Sequence, residues 1–187
     1  MRLLVGIGNP EEKYNSARHN IGFIVLDRLA KEYGCSFSFD KKINGEVAEC
    51  KIGKDKFVLL KPHTYVNKSG EAAKKAKAYY KIKNPDIFVI HDDLDIYFPK
   101  IKYAFEKSSA GHKGVESVIH YLKTKKFNRI RIGIRNKKLD TIKKKNIDRD
   151  KKTALVGKFV LSDFETADKR KFNELAVKTF EIIKSSL

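Results

Sequence analysis

Apolar residues recur along the chain in short runs separated by polar loops, and the spacing within each run distinguishes strands from helices. A strand predicted over 2–7 carries Leu3, Leu4 and Val5, and it breaks into Gly6-Ile7-Gly8-Asn9-Pro10. Ile21, Ile24, Leu26, Leu29 and Ala30 then recur near helical spacing over 21–33, with Asn20 placed to cap that helix and Gly34 to stop it. Three short strands are predicted around 36–39, 46–51 and 57–60. A loop follows through Lys61-Pro62-His63-Thr64-Tyr65-Val66-Asn67, because Pro62 biases Lys61 away from helix. Ser69 is placed to cap a helix bearing Ala72, Ala73, Ala76, Tyr79 and Tyr80.

The run at 86–90, Asp-Ile-Phe-Val-Ile, is β-branched and almost wholly apolar, the pattern of a central parallel strand buried on both faces. It delivers His91-Asp92-Asp93-Leu94-Asp95 at its carboxyl end. A further strand near 99–105 leads to the small-residue loop 108–114, then to a helix with Val115, Val118, Ile119 and Leu122. Residues 129–134 alternate cleanly as a strand. Residues 136–152 form a polar, basic segment with eight Lys or Arg against three Asp, and 164–185 reads as a closing amphipathic helix. The pattern predicts one α/β domain over 1–187, with a mixed, mostly parallel twisted sheet flanked by helices. The segment 136–152 is its expected mobile element.

Composition narrows the class. A chain of 187 residues, 41% hydrophobic, can bury one substantial core. No stretch approaches the roughly 18 to 20 apolar residues of a membrane span. Met1-Arg2-Leu3 runs directly into strand-like sequence, which leaves no space for a signal peptide, so a cytoplasmic protein with no membrane association is expected. Cys35 and Cys50 lie in neither a CxxC nor a metal-ligand spacing and are expected to be reduced thiols. Charge adds a partner: 41 Lys and Arg against 23 Asp and Glu give a formal +18, a field that attracts polyanions, nucleic acid above all.

Candidate chemistry gathers in four polar loops that follow apolar strands: Asn9 with His19, Asn67, His91-Asp92-Asp93, and Gly111-His112-Lys113-Gly114. Parallel strands would bring these loops to one rim, where open α/β sheets bind ligands. A histidine beside a carboxylate and several amides suits hydrolysis. The imidazole takes a proton from water, the carboxylate fixes its tautomer, and the amides bind a carbonyl and its developing oxyanion. Gly6-Ile7-Gly8 lacks the third glycine of a dinucleotide fingerprint, since Glu11 stands there, and the chain has no P-loop. His91, Asp92, Asp93 and Asp95 could bind a divalent metal, although Asp93 and Asp95 fit better as caps of a turn or of the nearby backbone.

Several motifs resemble the bacterial-type peptidyl-tRNA hydrolases in order and spacing: Gly6-Ile7-Gly8-Asn9-Pro10, Tyr14, Arg18-His19-Asn20-Ile21-Gly22, Lys61-Pro62-His63-Thr64-Tyr65-Val66-Asn67-Lys68-Ser69-Gly70, His91-Asp92-Asp93-Leu94-Asp95, Gly111-His112-Lys113-Gly114 and Arg129-Ile130-Arg131-Ile132-Gly133-Ile134. The resemblance runs from residue 2 to about 135 and more loosely to the end. It implies a monomeric α/β enzyme, without metal or organic cofactor, that cleaves the ester between a peptide and the 3′ ribose of tRNA and recycles tRNA from aborted translation. On that likeness His19 is the general base, Asp92 orients it, and Asn67 and Asn9 hold the peptide end and the reacting carbonyl. Tyr14, Val66, His112 and Lys113 line the substrate cleft, and Arg131 with Lys102 contacts tRNA phosphates.

Three positions depart from the family pattern. Lys113 stands where asparagine is usual, Val66 where methionine is usual, and Ala17 where threonine is common. Lysine cannot accept a hydrogen bond, and a cation near His19 would lower the imidazole's basicity, yet the same cation could stabilise an oxyanion or reach an RNA phosphate. The alternatives are a catalytically silent RNA-binding protein on the same scaffold and an esterase indifferent to nucleic acid.

Overall fold

The computed structural model of the chain describes residues 1–186 and shows one α/β domain built on a seven-stranded mixed sheet. In chain order the elements are β1 (Arg2–Gly6), α1 (Ile21–Glu32), β2 (Ser38–Asp40), β3 (Gly45–Ile52), β4 (Asp55–Pro62), α2 (Ser69–Tyr79), β5 (Ile87–Tyr97), β6 (Ile101–Phe105), α3 (Lys113–Leu122), β7 (Asn128–Arg135), α4 (Lys137–Lys144), α5 (Arg149–Val160), α6 (Thr166–Lys169) and α7 (Phe172–Ser185). Strand order across the sheet is β2-β3-β4-β1-β5-β7-β6. The four central strands β4, β1, β5 and β7 run parallel, while β2-β3, β3-β4 and β6-β7 pair antiparallel at the edges.

Alternation along the central strands fills two cores. Leu4, Phe57, Leu59, Phe88 and Ile90 face α1, α5 and α7, whereas Leu3, Val58, Leu60, Ile87 and Val89 face α2 and α3. That double burial is why these strands read as near-continuous apolar runs. Close approach is built in at Gly22, where a Cβ would stand 2.5 Å from the Ile7 nitrogen and closer still to the Ile90 carbonyl, so α1 can press directly onto the ends of β1 and β5.

Several local expectations need correction. Asn20 occupies the cap position of α1 without a side-chain capping bond, because its amide is committed elsewhere. Ser69 is the first residue of α2, and its hydroxyl donates back to the Val66 carbonyl at 2.9 Å rather than accepting a helix amide. The residues His91 to Asp95 form no loop. They extend β5, because β7 continues to offer backbone partners as far as Gly133 and again at Arg135. Residues 137–144 form α4 and residues from 149 onward form α5, while the expected helix over 164–185 divides into α6 and α7. Cys35 and Cys50 are joined in a disulfide: the chain leaving α1 lies against β3 and brings their Cα atoms to 5.6 Å, a proximity that a sequence separation of 15 does not reveal. Among the described residues, no helix is long and apolar enough to cross a membrane.

Candidate active site

Asp92 sits on β5 beside β7 and is 2% exposed. Two imidazoles converge on one of its oxygens. His19, in the 3-10 turn Arg18–Asn20, donates from Nδ1 to Oδ1 at 2.8 Å. His112, just before α3, meets the same Oδ1 through Nε2 at 2.9 Å. Burial disfavours the Asp92 carboxylate, but the two histidines outweigh it and hold the carboxyl well below its usual range. Burial likewise works against the protonated His19 ring, and Asp92 prevails, so the His19 pKa lies above the ordinary histidine value.

The second nitrogen of each ring settles its tautomer. His112 Nδ1 accepts from the amides of Gly114 at 3.2 Å and Val115 at 3.3 Å, capping α3. Its proton is therefore on Nε2, aimed at Asp92. His19 Nε2 has no hydrogen-bond partner among the described residues, and the ring is partly exposed, so a lone pair is left open to solvent. A third imidazole, His91, packs edge-on to His112 at 4.7 Å and donates from Nδ1 to the Asp92 carbonyl at 2.7 Å. Burial first, and the His112 ring second, keep His91 neutral.

His19, Asp92 and His112 offer three potential metal-ligand atoms within 4.8 Å of one another. Each of those atoms is already spent in the hydrogen bonds through Oδ1, which account for the cluster as it stands. The other acidic residues at this end are paired. Asp93 accepts from the Asp95 amide at 2.8 Å and from Arg131, and Asp95 binds Lys143 at 2.6 Å. Asp93 thus caps nearby backbone within β5, with an ion pair added to it, whereas the Asp95 side chain binds Lys143.

Amides flank the cluster. Asn20 accepts from the Asn9 backbone nitrogen at 3.0 Å and donates to the Asn9 carbonyl at 2.9 Å, which fixes the loop after β1 to the residue next to His19. The side chains of Asn9 and Asn67 make no hydrogen bond among the described residues, and Asn67 is exposed. Val66 is buried, and a Cβ at Gly114 would stand 2.9 Å from its side chain and 2.7 Å from that of Ile7. The ends of β1, β4 and the start of α3 therefore meet here. Lys113 is the exposed first residue of α3. Tyr14 lies half-buried five residues before His19, with Lys13 over its ring at 5.0 Å.

Arg131 stands apart from the histidines, on β7, with both Nε and Nη2 at 2.8 Å from Asp93. Lys102 of β6 is its cross-strand partner and is exposed. Sequence reasoning missed the anchoring of the His19 turn: the Arg18 amide bonds the Ser162 carbonyl, the Phe164 amide bonds the Ser16 carbonyl, and the Arg18 guanidinium reaches Ser162. It also missed the His91 ring, and a histidine directly preceding an aspartate on one strand gives no signal that its ring will turn back onto that aspartate's carbonyl.

Comparison with known proteins places this geometry in context. The sequence model of the family described as Peptidyl-tRNA hydrolase matches residues 3–187. The peptidyl-tRNA hydrolase of Rickettsia prowazekii is 46% identical over 134 residues, 72% of each chain. That of Rickettsia felis is 37% identical over 167 residues, 89% of this chain and 85% of its own. A crystal structure of peptidyl-tRNA hydrolase from Acinetobacter baumannii, the Arg119Gln mutant, superposes with a TM-score of 0.79 at 25% identity, covering 100% of this chain and 92% of that one.

Proposed function

The chain belongs to the peptidyl-tRNA hydrolase family and hydrolyses peptidyl-tRNA; on that premise we propose that His19 is the general base and Asp92 the group that orients it. The observation that carries this reading is the 2.8 Å bond from His19 Nδ1 to a buried carboxylate, with Nε2 left free. Nε2 takes a proton from water as the resulting hydroxide attacks the ester carbonyl, and Asp92 stabilises the imidazolium. The tetrahedral oxyanion is met by amide donors from Asn67 and Asn9, whose side chains have no competing partner. Collapse breaks the bond to the ribose 3′ oxygen, which leaves with the proton held on His19.

His112 acts by holding Asp92, and Val66 and Tyr14 shape the cleft around the peptide. Lys113, exposed at the mouth, meets the oxyanion or a phosphate. Arg131 and Lys102, paired across β6 and β7, contact tRNA phosphates, consistent with the +18 formal charge. Within the single domain, residues 136–152 bury little beyond Leu139 and Ile142, which supports an adjustable basic element over the RNA. We place the enzyme in the cytoplasm as a monomer, recycling tRNA from aborted translation, because its substrate arises there.

Release of peptide from purified peptidyl-tRNA tests the assignment. His19→Ala is expected to lose about 10²- to 10⁴-fold in kcat. A variant with wild-type turnover would remove His19 from the mechanism.

A further inference from the structure

Away from the Asp92 cluster, a cavity of about 270 Å³ opens where the carboxyl ends of β5 and β7 meet the start of α4 and the α6–α7 segment. Its wall is aromatic, with the rings of Phe98 and Phe164 5.1 Å apart. Its charged lining is Arg18, Arg135, Lys137 and Lys171 against a single carboxylate, Asp168. Arg135 is already held by Asp140 at 2.6 Å and stacks on Tyr97. Lys137 and Lys171 are exposed and form no ion pair among the described residues.

Arg18 is the unusual member, being 3% exposed. Every hydrogen bond its side chain makes leaves from Nη1, to the Ser162 hydroxyl at 2.8 Å, the Ser162 carbonyl at 3.1 Å and the Asp163 carbonyl. The guanidinium lies against Phe159 and Phe164, with centroids at 4.9 and 5.4 Å. Nε and Nη2 donate to nothing among the described residues, and no carboxylate forms an ion pair with them. Burial disfavours the charged guanidinium, and the carboxylates of Asp168, Glu165 and Asp163 offset part of that cost without bonding it, which leaves the Nε–Nη2 edge available to an anion. The free Nε–Nη2 edge is the planar fork that matches two oxygens of a phosphate.

We propose that this cavity binds a phosphate group, with the Nε–Nη2 edge of Arg18 as its donor pair and Lys137 and Lys171 as its cationic rim. Asp168 opposes an anion there, as do Asp163 and Glu165 near Arg18, while Lys137 and Lys171 on the rim stand unpaired among the described residues. The phosphate comes either from the backbone of a bound tRNA or from a free phosphate. Arg18 shares its turn with His19, so occupancy is read at the catalytic turn as well. The site stands independently of the role given to His19.

Titration of the full-length 15N-labelled protein with inorganic phosphate, at ionic strength held constant with potassium chloride, tests this. The Arg18 Nε–H and His19 amide signals are expected to shift saturably with phosphate and not with chloride. Lys137→Glu combined with Lys171→Glu, both exposed and remote from the fold's core, should weaken that binding at least about tenfold, the loss of one charge-assisted contact. A second arm uses deacylated tRNA. Displacement of phosphate by tRNA, or a shift of Arg18 by tRNA alone that the double variant abolishes, assigns the site to the RNA backbone; phosphate binding unaffected by tRNA assigns it to a free phosphate. An Arg18 signal moved by neither ligand, or a phosphate affinity unchanged in the double variant, overturns the proposal.

Discussion

Two histidines meet the same oxygen of Asp92, at 2.8 Å from the turn after β1 and at 2.9 Å from the start of α3, yet only one of them is fit to move a proton. The difference lies in the nitrogen that faces away. His112 spends Nδ1 on two helix amides, so gaining a proton there would uncap α3. His19 leaves Nε2 uncommitted. Equal contacts with a carboxylate thus yield a base on one side and a strut on the other, and the local backbone decides which is which. The comparison also explains why Asp92 stays ionised though buried: both rings donate to it, and neither competes for its negative charge.

Removing the shared oxygen's charge should have the larger effect. Asp92→Asn would present an amide to two donors, turn at least one ring, and cost about 10³- to 10⁴-fold in kcat, as expected when a base loses the group that fixes its tautomer. It should also move the pH profile. In the wild type, neutral His19 is the active form and Asp92 raises its pKa, so kcat/KM should fall as pH drops through a value above the ordinary 6.5. Without the carboxylate, burial is the remaining influence and favours the neutral ring, so the acidic limb should shift to lower pH. An unshifted limb in the variant would mean that His19 is not the titrating base.

The other side of the comparison is separable into its two jobs. His112→Ala removes both the α3 cap and a bond to Asp92, and should cost about 1 kcal/mol of stability, or roughly 2 to 4 °C in Tm for a chain of this size. His112→Asn restores a side chain suited to capping without restoring the reach to Asp92. Both variants should lose about tenfold in kcat, and only the alanine variant should melt earlier. Recovery of turnover in the asparagine variant would show that the cap, and not the grip on Asp92, is what catalysis requires of His112.

Much of this arrangement is legible from residue patterns, and the illegible parts share a cause. The apolar runs at 3–5, 57–60 and 86–90 report strands because each is buried by helices on both faces, and 129–134 reports one by alternation, with Ile130, Ile132 and Ile134 on a single core face. His91 to Asp95 lack apolar alternation, and only the backbone ladder offered by β7 makes them strand. The Lys-rich α5 buries only Phe159 and carries little helical period to detect, whereas α4 keeps Leu139 and Ile142 at helical spacing on one buried face. Asn20 looks like a helix cap because a capping asparagine and one that clamps a distant loop are the same residue type in the same place. At the site, the order of apolar strands and polar loops points His19, Asp92, Asn67 and Asn9 to one rim, and resemblance to a family supplies their expected roles. The tautomer of each ring follows from hydrogen bonds to amides that no spacing encodes.

The smallest expected effect lies at Lys113, beside His112 and exposed at the start of α3. An ammonium there can donate to an oxyanion and cannot accept from a substrate amide, whereas asparagine can do both. Lys113→Asn should therefore raise turnover of peptidyl-tRNA by about two- to tenfold, the worth of one ordinary hydrogen bond recovered in the transition state. It should do so without moving the melting temperature, because Lys113 is exposed and the cap of α3 belongs to His112. A rate that stays level or falls would show that the lysine serves this chain's substrate better than the amide, and would place the cation in contact with the oxyanion or an RNA phosphate during the reaction.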